Sequence, residues 1–254
     1  MAHPTPLAPT APFERPERPA LAGRLDLLGE RVRPSSMAGE RVLPLVPPLA
    51  ALVPGGGLRR GSSVAVAGPG ATALGLAVLA GASQAGAWVA AVGVPTLGLL
   101  AAAELGVDLE RVVLVAAPAP EQWGTVVAAL AEAFEAVLVR PTHRVRPGDL
   151  RRLTTRVRDR GGVLCQLPAR PGTWPEVPDL TFTVTAARWR GIDPGAPGAG
   201  RLQARRLSVE VTGRRGADRP RRAELWLPGP DGSITLARPV AETTSVAPIL
   251  EAVG

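Results

Sequence analysis

The sequence predicts an α/β fold: a mostly parallel sheet flanked by helices and extended at its C-terminal side by an antiparallel meander. Three observations predict it. Short β-branched apolar runs alternate with amphipathic or apolar helical segments between residues 62 and 167. Glycine turns separate several of them. After Pro168 the pattern changes to strict alternation, with Leu180, Phe182 and Val184 interleaved by Thr181, Thr183 and Thr185.

Residues 1–48 read as a proline-rich N-terminal tail carrying one short amphipathic helix, with Leu21, Leu25, Leu28 and Val32 on one face. Pro44, Pro47 and Pro48 read as a linker. The core domain is expected over 49–238, opening with a short helix and a glycine turn. Ser62–Ala67 is then a strand, Ala71–Gln84 a helix, Ala87–Val92 a strand and Leu97–Leu105 a helix. Arg111–Ala116 is a strand. Glu121–Phe134 is a helix with Trp123, Val126, Val127, Leu130 and Phe134 on one face. Ala136–Val139 is a strand, and Asp149–Arg160 a helix burying Leu150, Leu153 and Val157 until Gly161-Gly162 stops it. Gly162–Leu167 is the last parallel strand. Strands around Leu207–Val211, Ala223–Pro228 and Ser233–Ala237 follow, and residues 239–254 read as a C-terminal tail.

The chain has 254 residues, a net charge of +7 and 29 basic side chains, every one of them arginine. That balance favours anionic partners. Heavy Ala, Gly, Pro and Arg use without lysine suits a G- and C-rich coding sequence, so part of the arginine bias is compositional. A lone cysteine, Cys165, excludes disulfides within the chain and points to a reducing cytoplasm. The N-terminus lacks the apolar core of a signal peptide, and no stretch reads as a membrane span.

The stretch from Ser63 to Ala82 runs strand, Gly68-Pro69-Gly70, helix. That is the context of a phosphate loop, G-x-x-x-x-G-K-[ST], whose lysine reaches the β/γ-phosphates and whose hydroxyl holds Mg²⁺. In the frame Gly68, Pro69, Gly70, Ala71, Thr72, Ala73, Leu74, Gly75, the lysine position is Leu74 and the hydroxyl position Gly75. Thr72 reads as a loop residue bonding local backbone. Backbone N–H groups at the helix start retain a weak affinity for anions.

ALVPGGGLRRGSSVAVAGPG and LAAAELGVDLERVVLV resemble the RecA core, from about Leu49 to Leu227. Together with the tail WRG…GRL…RRAELWLPGPDG they resemble the actinobacterial ImuA-prime family, RecA-like accessory proteins of damage-induced mutagenesis. The resemblance implies a RecA-like fold and two partners: an ImuB-like Y-family polymerase relative and an error-prone C-family DNA polymerase. RecA itself and DNA are further candidates. RecA-type ATPases carry a carboxylate after the second strand and a metal-binding Asp at the end of the fourth. Here those positions hold Gly93-Val94-Pro95-Thr96 and Arg140. No catalytic residue, nucleotide site, metal site or cofactor is therefore expected, and the chain reads as a non-enzyme. By the same resemblance Gln166 falls where RecA-like proteins place a nucleotide-sensing glutamine; without a nucleotide it reads as structural.

Two arginine clusters remain. One surrounds the helix after the fourth strand: Arg144, Arg146, Arg151, Arg152 and Arg156, with Arg158 and Arg160. The other includes Arg205, Arg206, Arg214, Arg215, Arg219, Arg221 and Arg222, with Arg201. They fit a solvated arginine-rich surface, a DNA backbone or an acidic protein face. The amphipathic face of Leu21, Leu25, Leu28 and Val32 fits either docking to a partner or folding back on the core. These readings lead to an adaptor for translesion polymerases. The alternatives are a DNA-binding repair module and, more remotely, an unorthodox ATPase or a cell-division inhibitor.

Overall fold

The computed structural model describes residues 42–95, 97–168, 170, 172–192, 200–214, 217 and 219–237. Leu21, Leu25, Leu28, Val32, Thr96 and Arg215 lie outside the described residues, as does the segment 239–254.

The chain enters through β1 (Val42–Pro44), α1 (Pro47–Ala50) and β2 (Gly57–Arg59), and β1 pairs antiparallel with β2 so that Val42 faces Arg59. A β-α repeat follows: β3 (Ser62–Ala67), α2 (Ala71–Gln84), β4 (Val89–Val92), α3 (Leu99–Glu104), a 3-10 turn (Leu109–Arg111), β5 (Val112–Val115), α4 (Pro120–Ala133), β6 (Ala136–Val139), α5 (Pro147–Arg160) and β7 (Val163–Gln166). The meander is β8 (Leu180–Ile192), β9 (Gly200–Gly213), β10 (Arg221–Trp226) and β11 (Thr235–Leu236). The nine strands β3–β11 form one sheet in the order β11-β10-β9-β8-β3-β7-β6-β4-β5. From β8 to β5 neighbouring strands run parallel, and from β8 to β11 antiparallel. The α/β class expected from the alternation is the class observed.

Two layers cover the parallel strands. On one face α2 packs with β1, α1 and the inner face of the meander in a core that includes Leu49, Leu74, Leu79, Phe182 and Leu207. On the other, α4 and α5 close over Ala90, Val92, Val137, Val139 and Leu164. Both-sided burial is why β4 and β6 are apolar throughout, and β7 up to Gln166, rather than alternating. The meander has one wet face: Leu207, Val209 and Val211 are buried while Ser208 and Glu210 stay half-exposed. Prolines start α4 and α5, and Gly161 at φ 68° stops α5 in the left-handed region.

The proline-rich stretch before Leu49 is not a free linker. Leu43, Leu45 and Val46 are buried in the main core. Their backbone crosses α2 so closely that a Cβ on Gly81 would lie 2.6 Å from the Leu45 carbonyl carbon. The prolines hid this strand, because Pro44 ends it and Pro47 and Pro48 sit in the first turn of α1, where no N–H is needed. Glu135 is the buried carboxylate of the second layer, and its Oε2 accepts the Trp88 N–H at 2.8 Å.

Candidate functional site

The turn between β3 and α2 has the outline of a phosphate loop. Gly68 at φ 96° and Gly70 at φ 84° are both left-handed, and Gly70 is the N-cap of α2 without any side-chain cap. The Leu74 N–H bonds the Gly70 carbonyl at 3.2 Å, which starts the helix. At Gly68 the constraint is spatial as well: a Cβ there would lie 2.1 Å from the Val184 carbonyl oxygen of β8.

The side chains around that outline are not those of a nucleotide site. Leu74, at the lysine position, is fully buried among core apolar groups. Its side chain therefore runs into the layer beneath α2 and not toward the mouth of the turn. Gly75, at the hydroxyl position, is buried too, and a Cβ on it would meet Leu167 Cδ2 at 3.0 Å. Gly93 follows β4 with its backbone against the Arg140 carbonyl, and Val94 is buried. Arg140, half-buried after β6, donates its backbone N–H to the Val92 carbonyl at 3.0 Å. Among the described residues no carboxylate stands at either of these strand ends. Gln166 ends β7 almost fully buried, opposite Ala65 of β3 and Val139 of β6. Its Oε1 has no partner among the described residues.

One cation does reach the turn, from an element far along the chain. Arg205 of β9 places its guanidinium where a Cβ on Gly70 would be 2.8 Å from Nη1. Its Nε donates to the Leu227 carbonyl at 2.8 Å, and its Cζ lies 5.0 Å over the Trp189 ring. Nη2 is buried without a partner among the described residues. Burial draws its pKa below the ordinary arginine value. Arg205 thus differs from the other members of its predicted cluster: it is a half-buried plug against the turn.

The remaining arginines divide by their partners. Arg206 pairs with Glu224 at 3.0 Å, Arg222 with Glu210 at 2.6 Å, and Arg156 with Glu132. Arg144, Arg146, Arg151, Arg152, Arg214, Arg219 and Arg221 are exposed and make no ion pair among the described residues. Trp174 is half-buried and edge-on to Trp123 at 6.3 Å, while Trp189 is exposed and carries the Arg205 guanidinium over its ring. His143 packs edge-on against the same Trp123 at 5.6 Å. Sequence reasoning had no means of bringing Arg205 to Gly70, because β4 to β8 all lie between them in the chain.

A family model described as the MT3502 N-terminal domain matches residues 51–176, which spans β2 to β7 and includes the whole turn. The meander and Arg205 lie beyond that match. A curated relative, the uncharacterized protein Rv3395c of Mycobacterium tuberculosis, is 34% identical over 153 residues, covering 57% of this chain and 71% of the relative.

Proposed function

The chain belongs to the family of the Mycobacterium tuberculosis protein Rv3395c, and from that premise we propose that it is a non-catalytic, RecA-like adaptor of damage-induced translesion synthesis. In this reading it is an ImuA-prime protein that holds an ImuB-like Y-family polymerase relative together with an error-prone C-family DNA polymerase. The observation that carries the non-catalytic half is the fully buried Leu74 at the lysine position, with the Arg205 guanidinium against Gly70. A phosphate loop works through a mobile cation and a metal-holding hydroxyl. Here an apolar side chain locked in the core and a glycine take those two places. The resemblance of LAAAELGVDLERVVLV and RRAELWLPGPDG to ImuA-prime sequences supports the other half.

A rigid sheet presenting arginine-rich faces suits docking, since specificity on such a platform lies in surface side chains and not in the fold. The test is affinity capture of the tagged full chain from damaged cells after nuclease treatment, with partners identified by mass spectrometry. Recovery of both polymerase components supports the adaptor. Loss of every partner on nuclease treatment overturns it in favour of direct DNA binding.

A further inference from the structure

A concavity lies at the opposite end of β3 from the phosphate-loop turn. β3 has six residues, so about 20 Å separates the two ends. The cavity measures about 350 Å³, within the size range of small-ligand sites. Its walls come from three places distant in sequence. Arg59 and Arg60 approach from the β2–β3 turn, Arg158 from the last turn of α5, and Arg214 from the end of β9.

Their convergence is built by backbone contacts. The Gly61 N–H donates to the Gly162 carbonyl at 2.7 Å, and a Cβ on Gly61 would lie 3.2 Å from the Arg158 Cα. The Arg214 N–H donates to the Asp179 carbonyl at 2.9 Å. Four arginines from these three places thus line one space.

Only one carboxylate lines the cavity among the described residues, and it is already engaged. Asp179 Oδ2 accepts the Ser63 backbone N–H at 3.0 Å and the Ser63 hydroxyl at 3.3 Å, which fixes the start of β8 against β3. None of the four arginines makes an ion pair among the described residues. Arg60 goes furthest in this direction. Its Nη1 makes one long bond to the Gly161 carbonyl, 3.4 Å, and its Nε is buried with no partner among the described residues. The guanidinium fork matches the oxygens of phosphate, and several forks around one cavity match a group carrying more than one negative charge.

We propose that this cavity is a binding site for a phosphate group carried by a nucleotide or by the end of a nucleic acid, held by Arg59, Arg60, Arg158 and Arg214. It takes one arginine from each cluster visible in the sequence and joins them through two that belong to neither. The site stands apart from the adaptor reading and from the phosphate-loop turn.

The experiment is calorimetric titration of the full chain with pyrophosphate, with a 5′-phosphorylated oligodeoxynucleotide and with the same oligonucleotide bearing a 5′-hydroxyl. Saturable binding of one pyrophosphate per chain is expected, competing with the phosphorylated oligonucleotide. Arg158→Gln combined with Arg214→Gln should weaken binding roughly ten- to a hundredfold. Arg151→Gln, on the exposed face of α5 outside the cavity, should change it less than about twofold. Both pocket substitutions are at exposed side chains, and the single variant Arg214→Gln serves if the double variant does not fold. Preference for the 5′-phosphorylated oligonucleotide assigns the site to nucleic-acid ends, and tighter binding of pyrophosphate than of either oligonucleotide assigns it to free nucleotides. Absence of saturable binding to all three probes overturns the proposal. So does an Arg151→Gln effect as large as that of the pocket variant, which would mean diffuse surface charge.

Discussion

Restoring the missing phosphate-loop residues should unfold this protein instead of reviving it. In the double variant Leu74→Lys, Gly75→Thr the sequence would again match the lysine and hydroxyl of the motif. Leu74 is fully buried, however, and its replacement puts an ammonium into an apolar layer. Loss of the leucine packing alone costs about 2–5 kcal/mol. Desolvating an unpaired charge adds several more, reduced by whatever the lysine stem recovers. Replacing Gly75 adds overpacking, since a Cβ there meets Leu167 Cδ2 at 3.0 Å and Leu138 Cδ1 at 3.5 Å; that costs about 1–3 kcal/mol. Packing loss and overpacking together reach about 3–8 kcal/mol before the charge is counted, a large part of the stability of any domain. At about 2–4 °C per kcal/mol for a chain of this size, Tm should fall by at least about 10 °C. Thermal unfolding followed by circular dichroism, with and without MgATP, reads this directly. A double variant that keeps the wild-type Tm and gains stability from MgATP would refute the reasoning, because its lysine would then point into the mouth of the turn.

Three further outcomes follow from the same geometry. Gly68→Ala combines a left-handed φ with a backbone clash against Val184, so it should destabilise by more than about 2 kcal/mol in urea unfolding. Arg205→Ala removes the bond to the Leu227 carbonyl and the stacking on Trp189; it should lower stability by about 1–3 kcal/mol and alter the tryptophan fluorescence. Burial pushes the Cys165 thiol up to about 12 from 9.0, so it stays protonated in the folded chain where the unfolded chain ionises. Above pH 9.0 the unfolded state then binds fewer protons, and stability that is fully present below that pH should decline by about 1.4 kcal/mol per pH unit above it. Cys165→Ala should flatten that slope, and native Cys165 should resist thiol reagents at neutral pH.

How much of this could be read beforehand varied with the physics behind each element. The strand Ser62–Ala67, the helix Ala71–Gln84 and the strand Ala136–Val139 have the bounds their sequence suggests, since apolar runs end at glycines or at a change of period. The helix α5 shows its Leu150, Leu153 and Val157 stripe as directly. β1 was invisible, because prolines suggest a linker and only burial against α2 reveals the strand. β8 and β9 run longer than their alternation indicates. Their outer halves carry Arg188, Arg190, Arg201 and Arg205, and the inward positions there include only small residues such as Ala187 and Ala204, which mark the period weakly. The loss of the lysine and carboxylates was plain in the sequence. The Arg205 plug and the four-arginine cavity were not, because each depends on strand order and register that no local pattern encodes.

The most direct test of the central claim, a phosphate-loop shape emptied of its chemistry, is MgATP turnover by the purified full chain with and without single-stranded DNA. No phosphate release above that of a mock preparation is expected under either condition. Saturable turnover that disappears when Gly70 is replaced by a bulky residue, with the fold intact, would contradict it.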